Sequence, residues 1–102
     1  MKAVINKKLY DTATAEMVAA WSNGYGAGDF YSCDEALFRT KKGAFFLHGK
    51  GGAATSYAKS CGDSKRCGES IVPMGASEAR EWLETHDANP DVIARFFGVE
   101  EA

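Results

Sequence analysis

The chain has only two prolines and three cysteines, and it contains no long apolar run. No segment approaches the roughly 20 apolar residues that a membrane-spanning helix needs, and the N-terminal residues MKAVINKKLY lack the apolar core of a secretory signal peptide. An odd number of cysteines does not indicate a disulfide framework. We therefore expect a cytoplasmic protein with reduced thiols and no membrane contact, formed by a single domain over residues 1–102.

No nucleotide-binding loop is present, although the stretch LFRTKKGAFFLHGKGG has a cluster of glycines around Lys50. A P-loop requires Gly, four residues, and then Gly-Lys followed by Ser or Thr. Here five residues separate Gly43 from Gly49, and Gly51 occupies the position of the hydroxyl residue. We expect Lys-Lys-Gly at 41–43 to form a hairpin turn and the later glycines to let the chain leave the sheet.

Metal-binding and catalytic residue types do not form a recognisable set either. Structural zinc sites usually contain close cysteine pairs, whereas Cys61 and Cys67 are six residues apart and Cys33 is distant. His48 is predicted in a strand and His86 at a helix end, where a lone histidine is more often structural than catalytic. We expect no metal site, no cofactor and no enzymatic activity, while a thiol or metal role of the three cysteines stays open.

The first half of the chain is predicted to form a strand, a helix and a hairpin. Residues 2–6 are β-prone, and LYDTATAEMVAAWSNG has helical spacing of its apolar residues, with Asp11 or Thr12 as the cap of an N-terminal helix. The following GYGAGDFYSCD is a glycine-rich loop. Residues 34–40 and 44–49 alternate as the two arms of a β-hairpin with apolar groups on both faces, which indicates the centre of a sheet.

The second half is predicted to add a strand and two helices. SIVPM is a further strand in which Pro73 marks an edge or an end. Ser77 caps the helix EAREWLETHD, Asn89-Pro90 begins the last helix, and Gly98 ends it. The expected fold is α+β with element order βαβββαα: a three- to four-stranded antiparallel sheet carrying an N-terminal helix and a C-terminal helix pair.

The net charge of −2 is unevenly distributed along the chain. Residues 36–68 contain seven lysines and arginines against one acid, which gives +6. Residues 69–102 contain two arginines against eight acids, which gives −6. Such asymmetry is typical of two binding faces of opposite sign, although the two segments can also neutralise each other in the folded protein.

Each charged segment predicts a candidate surface for a partner. The acidic surface consists of carboxylates on the two C-terminal helices: Glu78, Glu81, Glu84, Asp87 and Asp91. The basic surface surrounds the predicted hairpin: Arg39, Lys41, Lys42 and Lys50. The hairpin phenylalanines, Phe38, Phe45 and Phe46, either stack on bases or belong to the core. The acidic residues are either a binding face or an ordinary solvated helix surface.

Five stretches carry a recognisable signature of capping, turn and strand residues: KLYDTATAE, EALFRTKKGAFFLHGKGG, SYAKSCG, GESIVPM and SEAREWLE. Through them the chain, from about Lys8 to Gly98, resembles a family of small, mostly uncharacterised proteins from phages and mobile elements of bacteria. Small proteins of this origin include inhibitors of CRISPR–Cas defence, so the resemblance implies a host bacterial cell and binding to a Cas protein or complex. The shared motifs are structural, and the resemblance implies no catalytic residue.

The leading functional prediction is a non-enzymatic binding protein of a phage or mobile element, an anti-CRISPR inhibitor that contacts a Cas effector through charged surface. The −6 segment supports it, because acidic surface steers a protein towards a basic groove. The alternative is a nucleic-acid-binding module that uses the basic hairpin, although the sequence pI of about 5.6 is far below the value above ~9 that is typical of such domains. The sequence does not indicate an oligomeric state.

Overall fold

The computed structural model describes residues 1–26, 29–61 and 64–102, with side chains for all of these except residues 60, 61 and 64–66. The described residues form eight strands: β1 (Lys2–Ile5), β2 (Lys8–Asp11), β3 (Glu16–Ser22), β4 (Cys33–Arg39), β5 (Phe45–Gly51), β6 (Lys59–Cys61), β7 (Ser64–Arg66) and β8 (Gly68–Met74). Two helices follow: α1 (Ala76–Thr85) and α2 (Pro90–Phe97). The fold is α+β, as predicted.

A four-stranded antiparallel sheet forms the centre of the molecule, with the strand order β3-β4-β5-β8. The inner strands β4 and β5 are the predicted hairpin. Its turn is closed by a hydrogen bond of 2.7 Å from Thr40 N to Ala44 O, and Gly43 has a φ of +91°, a conformation that favours glycine. Pro73 lies in the edge strand β8, where its missing N–H disturbs no inner ladder. The hairpin, its turn and the edge position are confirmed.

Both faces of this sheet are covered, because side chains alternate between them along β4 and β5. On one face, which we call the helix face, Leu37 and Leu47 pack against Leu83 of α1. On the other, which we call the hairpin face, Phe46 packs against Tyr10 of the β1–β2 hairpin. The apolar residues on both faces of the predicted hairpin indicated a central position in the sheet, and this prediction is confirmed.

The predicted N-terminal helix is wrong, because its residues form the end of the β1–β2 hairpin, a turn and the edge strand β3. Asp11 does not cap a helix: its Oδ1 accepts from Ala13 N at 2.9 Å within the turn. A β-bulge between Met17 and Ala19 buries Val18 and interrupts the two-residue alternation of the strand. Alanine favours helix by well under ~1 kcal/mol per residue, so pairing with β4 decides the structure.

The C-terminal helix pair is confirmed, with one correction at its start. α1 begins after Gly75, whose N–H donates to Glu78 Oε1 at 3.1 Å, so Ser77 lies inside the helix and does not cap it. Asn89 caps α2 as predicted, since its side chain accepts from the N–H of the second helical residue at 2.9 Å. Gly98, with a φ of +70°, follows the last turn. Within the described ranges, no helix has the length and hydropathy of a membrane span.

The two ends of the four-stranded sheet carry different connections. The tip end has the β4–β5 turn and the start of α1, whereas the loop end has the β3–β4 loop and the β5–β8 connection, which contains the small hairpin β6–β7. Met74, next to α1, pairs with Phe45 at the tip end, and Trp82 reaches Glu35 nearer the loop end. The carboxyl end of α1 therefore lies towards the loop end.

Candidate functional site

The five carboxylates of the predicted acidic surface are all exposed. Glu78, Glu81 and Glu84 follow at intervals of three along α1, which places them on one side of the helix. Asp87 lies in the turn after α1, and Asp91 lies in the first turn of α2. None of the three ion pairs between described residues involves any of them. They form a solvated set on the outside of the helical layer, which we call the acidic helical surface.

The four residues of the predicted basic surface do not form one patch. Lys41 and Lys42 are exposed in the turn at the tip end. Lys50 lies five residues beyond the start of β5, roughly 17 Å along the strand at ~3.3 Å per residue. There its cross-strand neighbours are Asp34 on β4 and Glu69 on β8. The prediction that Lys50 belongs to a basic hairpin tip is wrong, because strand length and acidic neighbours separate it from the turn.

The hairpin phenylalanines belong to the core. Phe38 and Phe45 are nearly buried and Phe46 is fully buried, so none of the three presents a ring to a base. Arg39 is exposed, but its guanidinium lies 6.0 Å from the centre of the Phe96 ring of α2. The hairpin therefore lacks the aromatic platform on which single-stranded nucleic acids stack.

Several donors converge on Glu35, a residue to which the sequence pattern assigned no role beyond its strand. Its Oε2 accepts from the Tyr57 hydroxyl, and its Oε1 accepts from the Trp82 indole N–H at 3.1 Å. His86 Nε2 lies 3.8 Å from Oε1, while His86 Nδ1 donates to the main-chain oxygen of Trp82 at 2.8 Å. The Trp21 ring packs on His86 with centroids 4.5 Å apart. This Glu35 cluster joins β3, β4, α1 and the β5–β8 connection.

Glycines in β5 make room for this cluster. Gly49 and Gly51 lie within the strand, so the prediction that they let the chain leave the sheet is wrong. A Cβ at Gly49 would lie 2.0 Å from the Tyr57 ring, and one at Gly51 would lie 2.2 Å from Thr55 Oγ1. Because Gly49 and Gly51 alternate with Lys50, one face of the strand has no side chains here. Glycine at every second position of a strand is therefore a sequence pattern that indicates close packing of another segment on that face.

The pKa values of Tyr57 and of the neighbouring Cys33 are both raised, which favours their protonated forms. Burial raises the pKa of Tyr57, and its hydrogen bond to the Glu35 carboxylate raises that pKa further. Burial also raises the pKa of Cys33, and the charges of Glu35 and Asp34 act in the same direction. A protonated thiol is a poor nucleophile. The contacts of the cluster thus hold structural elements together and do not activate Cys33.

The free energy of unfolding is expected to decrease above about pH 10, and Tyr57→Phe is expected to make this decrease smaller. The pKa of Tyr57 is higher in the folded protein than in the unfolded chain, so between the two values the folded state keeps a proton that the unfolded chain has lost. The stabilisation is complete below the usual tyrosine pKa of about 10 and is lost as the pH rises towards the folded value. Urea unfolding at about pH 8 and about pH 10.5 measures it. Tyr25→Phe, outside the cluster, is the matched control. The prediction is contradicted if the free energy of unfolding decreases between the two pH values as much in Tyr57→Phe as in the wild-type protein.

An open groove of about 400 Å³ lies on the hairpin face near the loop end, and its lining includes Ala20, Ser22, Asp34, Ala36, His48 and Lys50. His48 Nε2 lies 3.0 Å from Glu69 Oε2, and this hydrogen bond lowers the pKa of Glu69. The lining carries both signs of charge and so does not favour an ion of either sign. Among the residues with described side chains, no three His, Cys, Asp or Glu converge to hold a metal ion.

The β3–β4 loop exposes three aromatic side chains, which we call the aromatic loop. Phe30 is 68% exposed, Tyr31 61% and Tyr25 52%. The main chain of Phe30 and Tyr31 is held in place, because Asn23 Nδ2 donates to Tyr31 O at 2.6 Å and Ala54 N donates to Phe30 O at 2.9 Å. The sequence predicted a glycine-rich loop here but assigned it no function, since a loop pattern does not show which way its aromatic residues point.

Comparison of the chain with protein-family models, with curated protein sequences and with solved structures finds no match. The resemblance to phage and mobile-element proteins therefore stays a prediction. The acidic helical surface and the aromatic loop are both exposed and available to a partner.

Proposed function

We propose that the chain is a non-enzymatic binding protein of a phage or mobile element, an inhibitor of CRISPR–Cas defence that binds a Cas protein or complex through the acidic helical surface. One observation carries the proposal: five exposed carboxylates lie on two consecutive helices and the turn between them. A basic groove that normally holds nucleic acid has the complementary charge. Occupation of that groove by carboxylates excludes the phosphate backbone.

Rigid support of the two helices favours this role. Trp82 of α1 donates to Glu35 of the sheet, and Phe97 of α2 stacks on Phe45 of β5 with centroids 5.0 Å apart. Arg95 of α2 also donates to Glu16 of β3 at 2.9 Å. Because the carboxylates are presented on supported elements, binding requires little ordering of the main chain, and the interaction energy is retained as affinity.

An interference assay against a panel of CRISPR systems tests the proposal. We expect at least one system to be blocked, and Glu81→Gln/Glu84→Gln to bind its effector roughly tenfold more weakly, as the loss of two charge contacts of about 0.7 kcal/mol each predicts. The matched control is Glu100→Gln/Glu101→Gln, which changes the net charge by the same amount outside the two helices. If no system is blocked, or if both double variants lose affinity equally, the proposal is wrong.

The nucleic-acid alternative rests on the exposed tip residues Lys41 and Lys42. They are adjacent in one turn and have no aromatic platform beside them. Phosphate contacts by two lysines would give weak binding that decreases steeply with salt. The charge of the helical surface, which repels phosphate, makes this role the second choice.

A further inference from the structure

We propose that the aromatic loop is a second contact surface of the same protein, and that it binds arginine side chains of the partner. The inference rests on the proposed function, because it assumes a basic protein partner. It adds a different kind of contact at a different place: three exposed rings, Tyr25, Phe30 and Tyr31, at the loop end of the sheet. Nothing in the acidic helical surface requires exposed aromatic residues there.

Hydrogen bonds hold the main chain of residues 29–32 in the aromatic loop. Asp29 Oδ1 accepts from Tyr31 N at 2.8 Å, and Gly52 N donates to Ser32 O at 2.8 Å. Together with the bonds from Asn23 and Ala54, these contacts hold residues 29–32 while the rings of Phe30 and Tyr31 stay exposed. Aromatic side chains on a fixed main chain lose little entropy on binding, and they are enriched among the residues that dominate interface energies.

Carboxylate charge lies next to the rings. Asp29 is exposed within the loop itself, and its Oδ1 accepts from Tyr31 N at 2.8 Å, which places this carboxylate beside one of the three aromatic residues. An aromatic face combined with a carboxylate suits a guanidinium, which stacks on the ring and donates to the oxygens. A phosphate group would meet repulsion from the same carboxylate.

The molecule already contains this combination at another place. The guanidinium of Arg95 lies 5.0 Å from the centre of the Phe96 ring and donates to Glu16 Oε2 at 2.9 Å. One arginine thus contacts an aromatic face and a carboxylate at the same time. The aromatic loop presents the same two groups without an arginine among the contacts of its described residues. A partner arginine would reproduce the contact in trans.

Titration of the ¹⁵N-labelled protein with octa-arginine and octa-lysine peptides tests the inference. We expect octa-arginine to shift the amide signals of the aromatic loop and to bind about fivefold more tightly than octa-lysine, because arginine stacks on rings better than lysine does. The variant Tyr25→Leu/Phe30→Leu/Tyr31→Leu keeps apolar bulk but removes the aromatic faces. It should bind both peptides equally, with circular dichroism confirming that it is folded.

Three outcomes would overturn the inference. The first is equal affinities for the two peptides in the wild-type protein, and the second is peptide-induced shifts confined to α1 and α2. The second of these would still support the acidic helical surface. Shifts confined to the loop would instead support the inference and contradict the role of the helices, so the two proposals fail separately. Loop signals that respond to single-stranded oligothymidine and not to octa-arginine would assign the loop to nucleic acid and would also overturn the inference.

Discussion

Gly52→Ala is expected to lower the free energy of unfolding by about 2 to 3 kcal/mol. A Cβ at this position would lie 2.1 Å from the main-chain oxygen of Asp29 and 2.5 Å from that of Phe30. Both are main-chain atoms, so rotation of a side chain does not relieve the overlap. Either the aromatic loop or the segment after β5 has to move, which strains the hydrogen bonds from Gly52 N to Ser32 O and from Ala54 N to Phe30 O.

Urea unfolding and thermal melting measure this effect, for which we expect a decrease of roughly 10–20 °C in Tm in a domain of this size. Gly26→Ala in the aromatic loop is the matched control, because a Cβ at Gly26 would meet no atom of the described residues within 4 Å. The control should stay within about 0.5 kcal/mol of the wild-type protein. Equal stability of Gly52→Ala and Gly26→Ala would contradict the close contact between the two main-chain segments at Gly52.

The parts of the fold that depend on neighbouring residues were predictable from the sequence. The Lys-Lys-Gly turn with alternating arms gave the central hairpin, and Asn89 with Gly98 gave the limits of α2, because turns and caps are decided within a few residues. The exposure of Glu81 and Glu84 was predictable for the same reason, since helical spacing separates them from the buried Leu83.

Features that depend on contacts between distant segments were not predictable. β3 looked helical because the bulge at Val18 hides its alternation, and its partner β4 follows only after the long β3–β4 loop. The prediction that Lys50 belongs to the basic surface was wrong, because its acidic neighbours come from two other strands. The Glu35 cluster combines Tyr57 and Trp82, which are 22 and 47 residues away, and no spacing rule connects such positions.

Glu35→Ala is expected to lower the free energy of unfolding by about 2 to 4 kcal/mol, and Glu35→Gln by about half as much. The Glu35 side chain is only 15% exposed, so alanine leaves the Tyr57 hydroxyl and the Trp82 N–H without their acceptor, at about 1 to 2 kcal/mol for each buried group. Glutamine keeps one carbonyl oxygen, which accepts from only one of the two donors while its amide faces the other.

Both tryptophans of the chain, Trp21 and Trp82, lie at this cluster, so urea unfolding followed by tryptophan fluorescence measures the change directly. Glu69→Ala is the matched control, because Glu69 is also a strand glutamate but bonds His48 at the surface. Its effect should be much smaller than that of Glu35→Ala. The double variant Glu35→Ala/Tyr57→Phe should lose less than the sum of the single losses, because the two side chains share one hydrogen bond. Strict additivity would mean that Glu35 does not hold the β5–β8 connection through Tyr57.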